Sequence, residues 1–176
     1  MKKIHLFIAM SLDGYIADDK GGVDWVQGQG NDHENIDTYS EFIKNIDTIL
    51  MGWNTYYQIV TELSIGEWIY NDMITYVITH RKKNPSKQIR FTNMNPVDLI
   101  KSLREENGKD IWICGGAHLV QQLINDDLID YYYITIIPTL LGSGVRLFGD
   151  RGQEMKLRLI NVRSYNGMTD LVYKRR

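Results

Sequence analysis

The segment from residue 110 to residue 119 reads DIWICGGAHL and joins a short apolar run to an apolar helical pattern through two glycines. A short, continuous apolar run is typical of a strand buried on both faces of a parallel sheet. The following residues, 117–125, are predicted to form a helix. Between the two elements the backbone can approach a ligand closely, and the first helical turn offers unpaired N–H groups to a phosphate. A tight turn that binds nothing is an equally good interpretation of Gly115-Gly116 taken alone.

The same alternation of strand and helix extends to both sides of this segment. Strands are predicted over 4–10, 48–51, 75–79, 110–114 and 131–137, and longer helices over 34–46 and 96–107. The last two strands are expected to pair across Asn166-Gly167, a dipeptide that favours a tight hairpin. The pattern predicts one α/β domain over residues 1–176. Its central sheet is expected to be mainly parallel, with helices on both faces and an antiparallel C-terminal hairpin.

Composition excludes several classes of protein. The 176 residues carry 20 basic and 22 acidic side chains, and 43% are apolar, as in ordinary globular proteins. No apolar run reaches the roughly 18–20 residues of a membrane helix. The near-neutral charge argues against nucleic acid as a partner. A single cysteine, Cys114, excludes an intrachain disulfide and favours a reducing compartment, so we expect a cytoplasmic protein without a membrane partner.

Two further segments follow strand ends, where ligands bind in parallel sheets. In the first, Met51-Gly52-Trp53-Asn54-Thr55, the glycine and the start of a helix offer N–H groups and a hydroxyl to a phosphate, although ordinary helix capping is the alternative. In the second, Thr79-His80-Arg81-Lys82-Lys83, Arg81 is well placed to grip a phosphate with two N–H groups. The neighbouring lysines, including Lys87, favour a solvated loop instead.

Other chemistries find little support in the sequence. The spacing G-x-G-x-x-G is absent, and the four histidines show no metal-ligand spacing, so no metal site is expected. Trp25 lies among glycines 21, 22, 28 and 30. The loop around it is interpreted either as a mobile lid or as a surface loop that the tryptophan anchors.

Taken together, these segments resemble the dihydrofolate reductase-like superfamily. The resemblance is greatest to small stand-alone bacterial members of the riboflavin-biosynthesis reductase branch, and it covers nearly the whole chain. The matching stretches, in order, are AMSLDGYIA (9–17), DTILMGWNT (47–55), ICGG (113–116), LID (128–130), IPTLLGSG (137–144) and LF (147–148).

The resemblance implies NADPH as the cofactor, and hydride transfer to a C=N or C=O bond of a small heterocyclic substrate. It implies that the diphosphate is lined by Gly115, Gly116, Ala117, His118 and Leu119, and Cys114 is counted with these cofactor-binding residues. From its position before Gly115, Cys114 is expected to be a small buried residue. It assigns a second phosphate cradle to Gly52, Trp53 and Thr55, and the adenosine 2′-phosphate to Thr79, His80 and Arg81. Ala9 and Ile16 would touch the nicotinamide, and Trp25 would lie in the loop that closes the active site.

The sequence departs from these relatives at three places. Trp53 replaces an arginine that helps to hold the 2′-phosphate, so Trp53 is expected to stack on adenine and to leave the charge to Arg81 and its lysine neighbours. Phe7 and Cys114 replace a lysine and a glutamate that contact the phosphoribosyl-pyrimidine substrate. On the predicted helix 34–46, the carboxylates of Glu34, Asp37 and Glu41 point away from the apolar stripe, which disfavours folate reduction.

Three questions stay open at this stage. The proton that accompanies the hydride comes either from a bound water or from Asp13, which alternatively organises the turn before Gly14. The chain is either a reductase or an NADP-binding module without turnover. Finally, the run Tyr131–Ile137 carries large residues on both strand faces, from which a homodimer is expected.

Overall fold

The structure is a computed structural model that describes residues 1–150 and 153–176. Its strands are β1 (Ile4–Ser11), β2 (Tyr15–Ala17), β3 (Ile46–Gly52), β4 (Ile74–Ile78), β5 (Ile89–Thr92), β6 (Asp110–Gly115), β7 (Tyr131–Ile137), β8 (Val145–Arg146), β9 (Leu157–Tyr165) and β10 (Met168–Arg175). Its α-helices are α1 (Thr38–Ile43), α2 (Trp53–Gln58), α3 (Pro96–Glu105) and α4 (Ala117–Asn125). A 3-10 turn spans Asp32–Glu34, and a π-helical turn, Ile59–Leu63, follows α2.

Within the described residues, eight strands form one sheet in the order β5-β4-β3-β6-β1-β7-β10-β9. Every pairing from β5 to β7 is parallel, whereas β10 runs antiparallel to both β7 and β9. The predicted fold class, a mainly parallel sheet with an antiparallel C-terminal hairpin, is confirmed. The short β2 and β8 pair with each other outside this sheet.

Helices cover both faces of the sheet, as predicted. On one face, even-numbered residues of β1 such as Leu6 pack with buried side chains of α3 and α4, including Ile100 and Leu123. On the other face, Phe42 of α1 and Ile59 pack over Trp112 of β6. Successive strand residues point to opposite faces, which explains why a continuous apolar run serves two cores at once.

The first helix is shorter than the predicted range 34–46. It begins after Asp37, whose carboxylate accepts a hydrogen bond from the Ser40 N–H at 2.9 Å. Ile36 precedes the helix and is 44% exposed, and Ile46 is already the first residue of β3. Periodicity extended the prediction too far because Ile46, a buried strand residue, falls at the next helical position.

The C-terminal hairpin turns at Asn166-Gly167, as its sequence predicts, and both residues have positive φ. Asn166 is buried, and its side chain holds the loop before α1. Its Oδ1 accepts hydrogen bonds from the N–H groups of Gln29 and Asn31, at 3.0 and 2.8 Å. Its Nδ2 donates to Asp32 and Asn35. The hairpin therefore fixes a loop that is distant in sequence.

Candidate functional site

Three strand ends meet at one edge of the sheet. In the register, Met51 lies opposite Gly115, and Gly52 lies opposite Ile78. The residues that follow these positions, Gly116 and Thr79, therefore lie at the same edge as Gly52. The structure thus brings the three sequence segments that were singled out for phosphate binding to one place.

The glycines at this edge leave the backbone open. A Cβ added to Gly52 would lie 3.7 Å from the Gly116 nitrogen, and one added to Gly116 would lie 3.5 Å from Thr55 Oγ1. Gly115 has a φ of +134°, a conformation that side chains rarely adopt, and the Gly115–Gly116 peptide is cis. A ligand can therefore approach the main chain at Gly52, the main chain at Gly116 and the Thr55 hydroxyl at a single point. We call Gly52, Thr55, Gly115 and Gly116 the glycine cradle.

The start of helix α4 opens onto the glycine cradle. Its N-cap residue is Gly116, and no side chain caps it. The first-turn N–H groups of Ala117, His118 and Leu119 thus face the edge of the sheet with the positive end of the helix dipole. Ala117 and Leu119 are buried and His118 is exposed. A ligand in the glycine cradle would therefore meet the backbone N–H groups of this turn more than its side chains. Helix α2 likewise begins at an uncapped glycine, Gly52, and the capping interpretation of that segment is wrong.

Two cationic side chains, Arg81 and Lys83, contact Trp53, the residue that follows Gly52 of the glycine cradle. The Arg81 guanidinium carbon lies 4.9 Å from the centre of the Trp53 ring, and Lys83 Nζ lies 5.4 Å from it. The Arg81 N–H donates to Thr79 Oγ1 at 3.1 Å, which orders the turn after β4. His80 is exposed. Lys83 is exposed in a loop, as the sequence suggested, and it contacts the same tryptophan as Arg81.

Asp13 organises a turn. Its carboxylate accepts hydrogen bonds from Ser11 Oγ at 2.6 Å and from the N–H groups of Leu141 and Gly142, at 3.1 and 2.7 Å. The Ser11 hydrogen bond, together with these backbone donors, lowers the pKa of Asp13 to about 2. A carboxylate that stays ionised and is occupied in this way is unsuited to donate a proton. Of the two roles considered for Asp13, the structure favours the structural one.

Trp25 is half-buried, and its Nε1 donates to the Gly22 carbonyl at 3.1 Å. The surrounding loop is held by Asn166 on one side, and Gln58 donates to the Gly21 carbonyl on the other. These contacts favour the anchored-loop interpretation of Trp25 over a free lid.

Ala9 and Cys114 lie on the sheet face that carries Phe7, because alternate residues of a strand share a face. Ile16, in β2, packs instead against the core on the opposite face. Burial raises the pKa of the Cys114 thiol to about 12, with a hydrogen bond from Tyr70 opposing the shift. Cys114 is thus a neutral packing residue rather than a nucleophile.

A polar cluster on the same face was not singled out from the sequence. Asp170 of β10 accepts a hydrogen bond from Thr135 Oγ1 at 2.6 Å, and its two oxygens lie 3.1 and 3.0 Å from the Tyr165 hydroxyl. Burial, together with the negative charge of Asp170, raises the pKa of Tyr165 against the opposing effect of Thr38. Only the pairing of β7 with β10 brings Thr135 and Asp170 together.

The strand from which self-association was expected is internal. β7 lies between β1 and β10, and its large residues Tyr132, Ile134 and Ile137 are buried within the chain. Among the sheet strands, the edge strand β9 instead carries three exposed apolar residues: Leu159, Ile160 and Val162.

In the described part of the chain, none of the helices combines the length and apolarity required to cross a bilayer. Likewise, residues 1–150 and 153–176 contain no group of three or more histidine, cysteine or acidic side chains placed to hold a metal ion.

Comparison with known proteins identifies one family over almost the full length. The model of the RibD C-terminal domain family matches residues 2–172. The uncharacterized protein YwjB of Bacillus subtilis (strain 168) is 35% identical over 178 residues, which cover 99% of this chain and 98% of YwjB.

Solved structures show the same fold. A putative riboflavin biosynthesis protein from Shewanella sp. PV-4 superposes with a TM-score of 0.87 at 28% identity, covering 99% of both chains. A second match is a diaminohydroxyphosphoribosylaminopyrimidine deaminase/5-amino-6-(5-phosphoribosylamino)uracil reductase from Thermotoga maritima. It has a TM-score of 0.72 at 16% identity, and the match covers 99% of this chain but 57% of that protein.

Proposed function

Because the chain belongs to the RibD C-terminal domain family, we propose that it is an NADPH-dependent reductase of a small heterocyclic compound. The observation that carries this proposal is the glycine cradle, with an uncapped helix start on one side and paired cations on the other. When bound, NADPH supplies a hydride to a C=N or C=O bond of the substrate.

The residues at the sheet edge fit this cofactor. Gly116 and the first turn of α4 offer main-chain N–H groups to a diphosphate, and Thr55 adds a hydroxyl. Arg81 and Lys83 supply positive charge where a 2′-phosphate needs it, and Trp53 holds both. In this arrangement Trp53 stands where relatives have an arginine, and the positive charge comes from two cations of the turn after β4 that contact its ring.

The substrate differs from the phosphoribosyl-pyrimidine of riboflavin synthesis. Phe7 stacks on Phe42 with ring centres 4.4 Å apart, and the Cys114 thiol is neutral. Neither position offers the charge expected from the lysine and glutamate of relatives with that activity. An aromatic wall favours a flat, less highly charged compound.

The test is a two-step measurement on the full chain. NADPH is titrated by isothermal calorimetry, with NADH as the matched ligand that lacks the 2′-phosphate. NADPH oxidation is then followed spectroscopically with pterins, pyrimidines, imines and quinones. We expect saturable binding that favours NADPH and steady oxidation with at least one compound. The absence of NADPH binding at millimolar concentration contradicts the proposal.

Binding without oxidation across the whole panel supports the other candidate, an NADP-binding module without turnover. The loss of charge at Phe7 and Cys114 is the observation that keeps this candidate in view, because a scaffold can retain its cofactor site after its substrate contacts are lost. Sustained turnover of any compound on the panel eliminates it.

A further inference from the structure

A cavity of about 330 Å³ lies on the Phe7 face of the sheet, between helix α1 and the hairpin β9–β10. Phe7, Phe42 and Tyr133 form its aromatic wall, and Phe42 and Tyr133 have ring centres 5.2 Å apart. Thr38, Thr135 and Asp170 line it as well. The volume is at the lower end of the range for small-molecule sites and suits a compound of one or two rings.

The carboxylates that line this cavity differ in whether a group of opposite charge lies beside them. Glu41 forms an ion pair with Arg163 at 3.0 Å, and Asp110 lies 2.9 Å from His5 Nε2. Burial lowers the pKa of His5, which keeps this ring neutral near pH 7. Asp170 has no ion-pair partner among residues 1–150 and 153–176. Asp110 and Asp170 thus both lack a cationic partner among the described residues. Asp110 is already engaged by the His5 ring and by the Lys3 N–H, at 2.9 and 2.7 Å, so Asp170 is the carboxylate better placed to attract a positive ligand.

Asp170 also retains capacity to accept hydrogen bonds. A carboxylate has about four acceptor positions, and those of Asp170 are approached by two hydroxyl groups, of Thr135 and Tyr165. The remaining positions suit a donor with two parallel N–H groups, the arrangement that pairs best with a carboxylate. His5, which also lines the cavity, has a buried Nδ1 without a partner among the described residues.

The cavity lies beside the strand positions expected to meet the cofactor. Ala9 is paired with Thr135, and Thr135 is paired with Asp170. Directly paired residues share a sheet face, and neighbouring strands are about 4.8 Å apart, so Asp170 lies about 10 Å across the sheet from Ala9. A planar compound against the Phe7 wall spans this interval.

We propose that this cavity binds planar aromatic or heteroaromatic compounds that carry an amidine-type pair of N–H donors, and that Asp170 is the carboxylate that pairs with them. As a statement about the substrate, this rests on the proposed function; as a statement about a binding site, it stands on the cavity alone. The proposed carboxylate belongs to β10. The acid of α1 that lines the cavity, Glu41, is already paired with Arg163.

The experiment uses benzamidine, a flat amidinium, and benzamide, a neutral compound of nearly the same shape. Both are titrated into the full chain by calorimetry, with and without NADPH. We expect benzamidine to bind and benzamide to bind much more weakly. Asp170→Asn is expected to weaken benzamidine binding by about 10- to 100-fold and to leave benzamide and NADPH binding unchanged. Asp72→Asn, at an exposed turn, is the matched control and is expected to behave as wild type.

A second variant keeps the proposal testable if Asp170→Asn does not fold. Glu41→Trp places a bulky ring at an exposed position of α1 on the cavity and is expected to block benzamidine. Glu41→Gln removes the same charge without the bulk and is expected to retain most of the binding. Benzamidine binding that survives both Asp170→Asn and Glu41→Trp overturns the proposal, as does its absence in the wild type. Because NADPH is titrated separately, loss of the cofactor site and loss of this site are distinguished.

Discussion

The guanidinium of Arg81 rests over the ring of Trp53, with 4.9 Å between the guanidinium carbon and the ring centre. Arg81 follows β4, and Trp53 is the first residue of α2, so the contact joins two of the three strand ends at the glycine cradle. A cation–π contact of this kind contributes about 0.5–1 kcal/mol at an exposed site. It holds a long side chain near the position where a phosphate is expected.

Replacing this cation tests which cofactor the protein prefers. Arg81→Gln is expected to weaken NADPH binding by about 10- to 100-fold, because a charge-assisted hydrogen bond is lost. NADH binding is expected to change little, since NADH has no 2′-phosphate. Lys101→Ala, on the exposed side of α3, serves as the control in the same calorimetric titrations. An equal loss for both cofactors contradicts the assignment of Arg81.

The Thr55 hydroxyl is expected to contact a phosphate. Thr55→Val keeps the shape of the side chain and removes the hydroxyl, so NADPH binding is expected to weaken by about 10-fold. The melting temperature is expected to stay within about 3 °C of wild type. Thr61→Val, whose hydroxyl donates to the Tyr57 carbonyl, is the control in the same helical segment. Unchanged NADPH affinity in Thr55→Val places the phosphates elsewhere.

His5 is expected to make stability depend on pH. Burial lowers its pKa in the folded state below the ordinary value of 6.5, although the Asp110 hydrogen bond opposes this shift. As the pH falls below about 6.5, the unfolded state takes up a proton and the folded state does not, so the free energy of unfolding decreases until the folded pKa is reached. Urea unfolding between about pH 7.5 and 5.5 measures the decrease.

The variant His5→Gln isolates this effect. Its amide can still donate to Asp110 but does not titrate in this range, so the loss of stability between these pH values is expected to be smaller than in wild type. An identical pH dependence in the two proteins assigns the effect to other groups.

Asn166 is expected to hold the Trp25 loop to the rest of the fold. Asn166→Gly tolerates the positive φ of this position but loses four side-chain hydrogen bonds in a buried setting. At about 0.5–1.5 kcal/mol for each bond, the free energy of unfolding is expected to fall by about 2–6 kcal/mol. Chemical denaturation measures the change, and Asn93→Gly, at an exposed position, is the control. A change below 1 kcal/mol would show that water replaces these bonds without cost.

Self-association is expected through the edge strand β9 rather than through β7. An exposed strand edge with apolar side chains pairs readily with another strand, and Leu159, Ile160 and Val162 are each 51% exposed. Light scattering is expected to report a dimer, and Val162→Lys is expected to yield monomers. Leu12→Lys replaces an exposed apolar residue elsewhere and should leave the dimer intact. A monomeric mass for the wild type contradicts this prediction.

Local sequence determined much of the fold. The range of α4 and the turn at Asn166-Gly167 were predicted correctly, because a glycine pair permits the sharp turn from strand to helix and an Asn-Gly dipeptide favours the positive φ of a tight hairpin. Strand β5 was missed, because only four residues, Ile89–Thr92, compose it. The first helix was predicted too long, because the buried strand residue Ile46 lies at the spacing expected for the next apolar residue of a helix.

The sequence also marked the three segments that meet at this edge of the sheet, two of which form the glycine cradle, since each follows a predicted strand and parallel strands end at one edge. Only the tertiary structure decided which side chains come into contact around these segments. The pairing of β7 with β10 sets Asp170 beside Thr135, and the order of β3 and β4 sets Arg81 against Trp53. These contacts depend on which strands become neighbours, and that is decided by the burial of apolar surface over the whole chain rather than by the residues on either side.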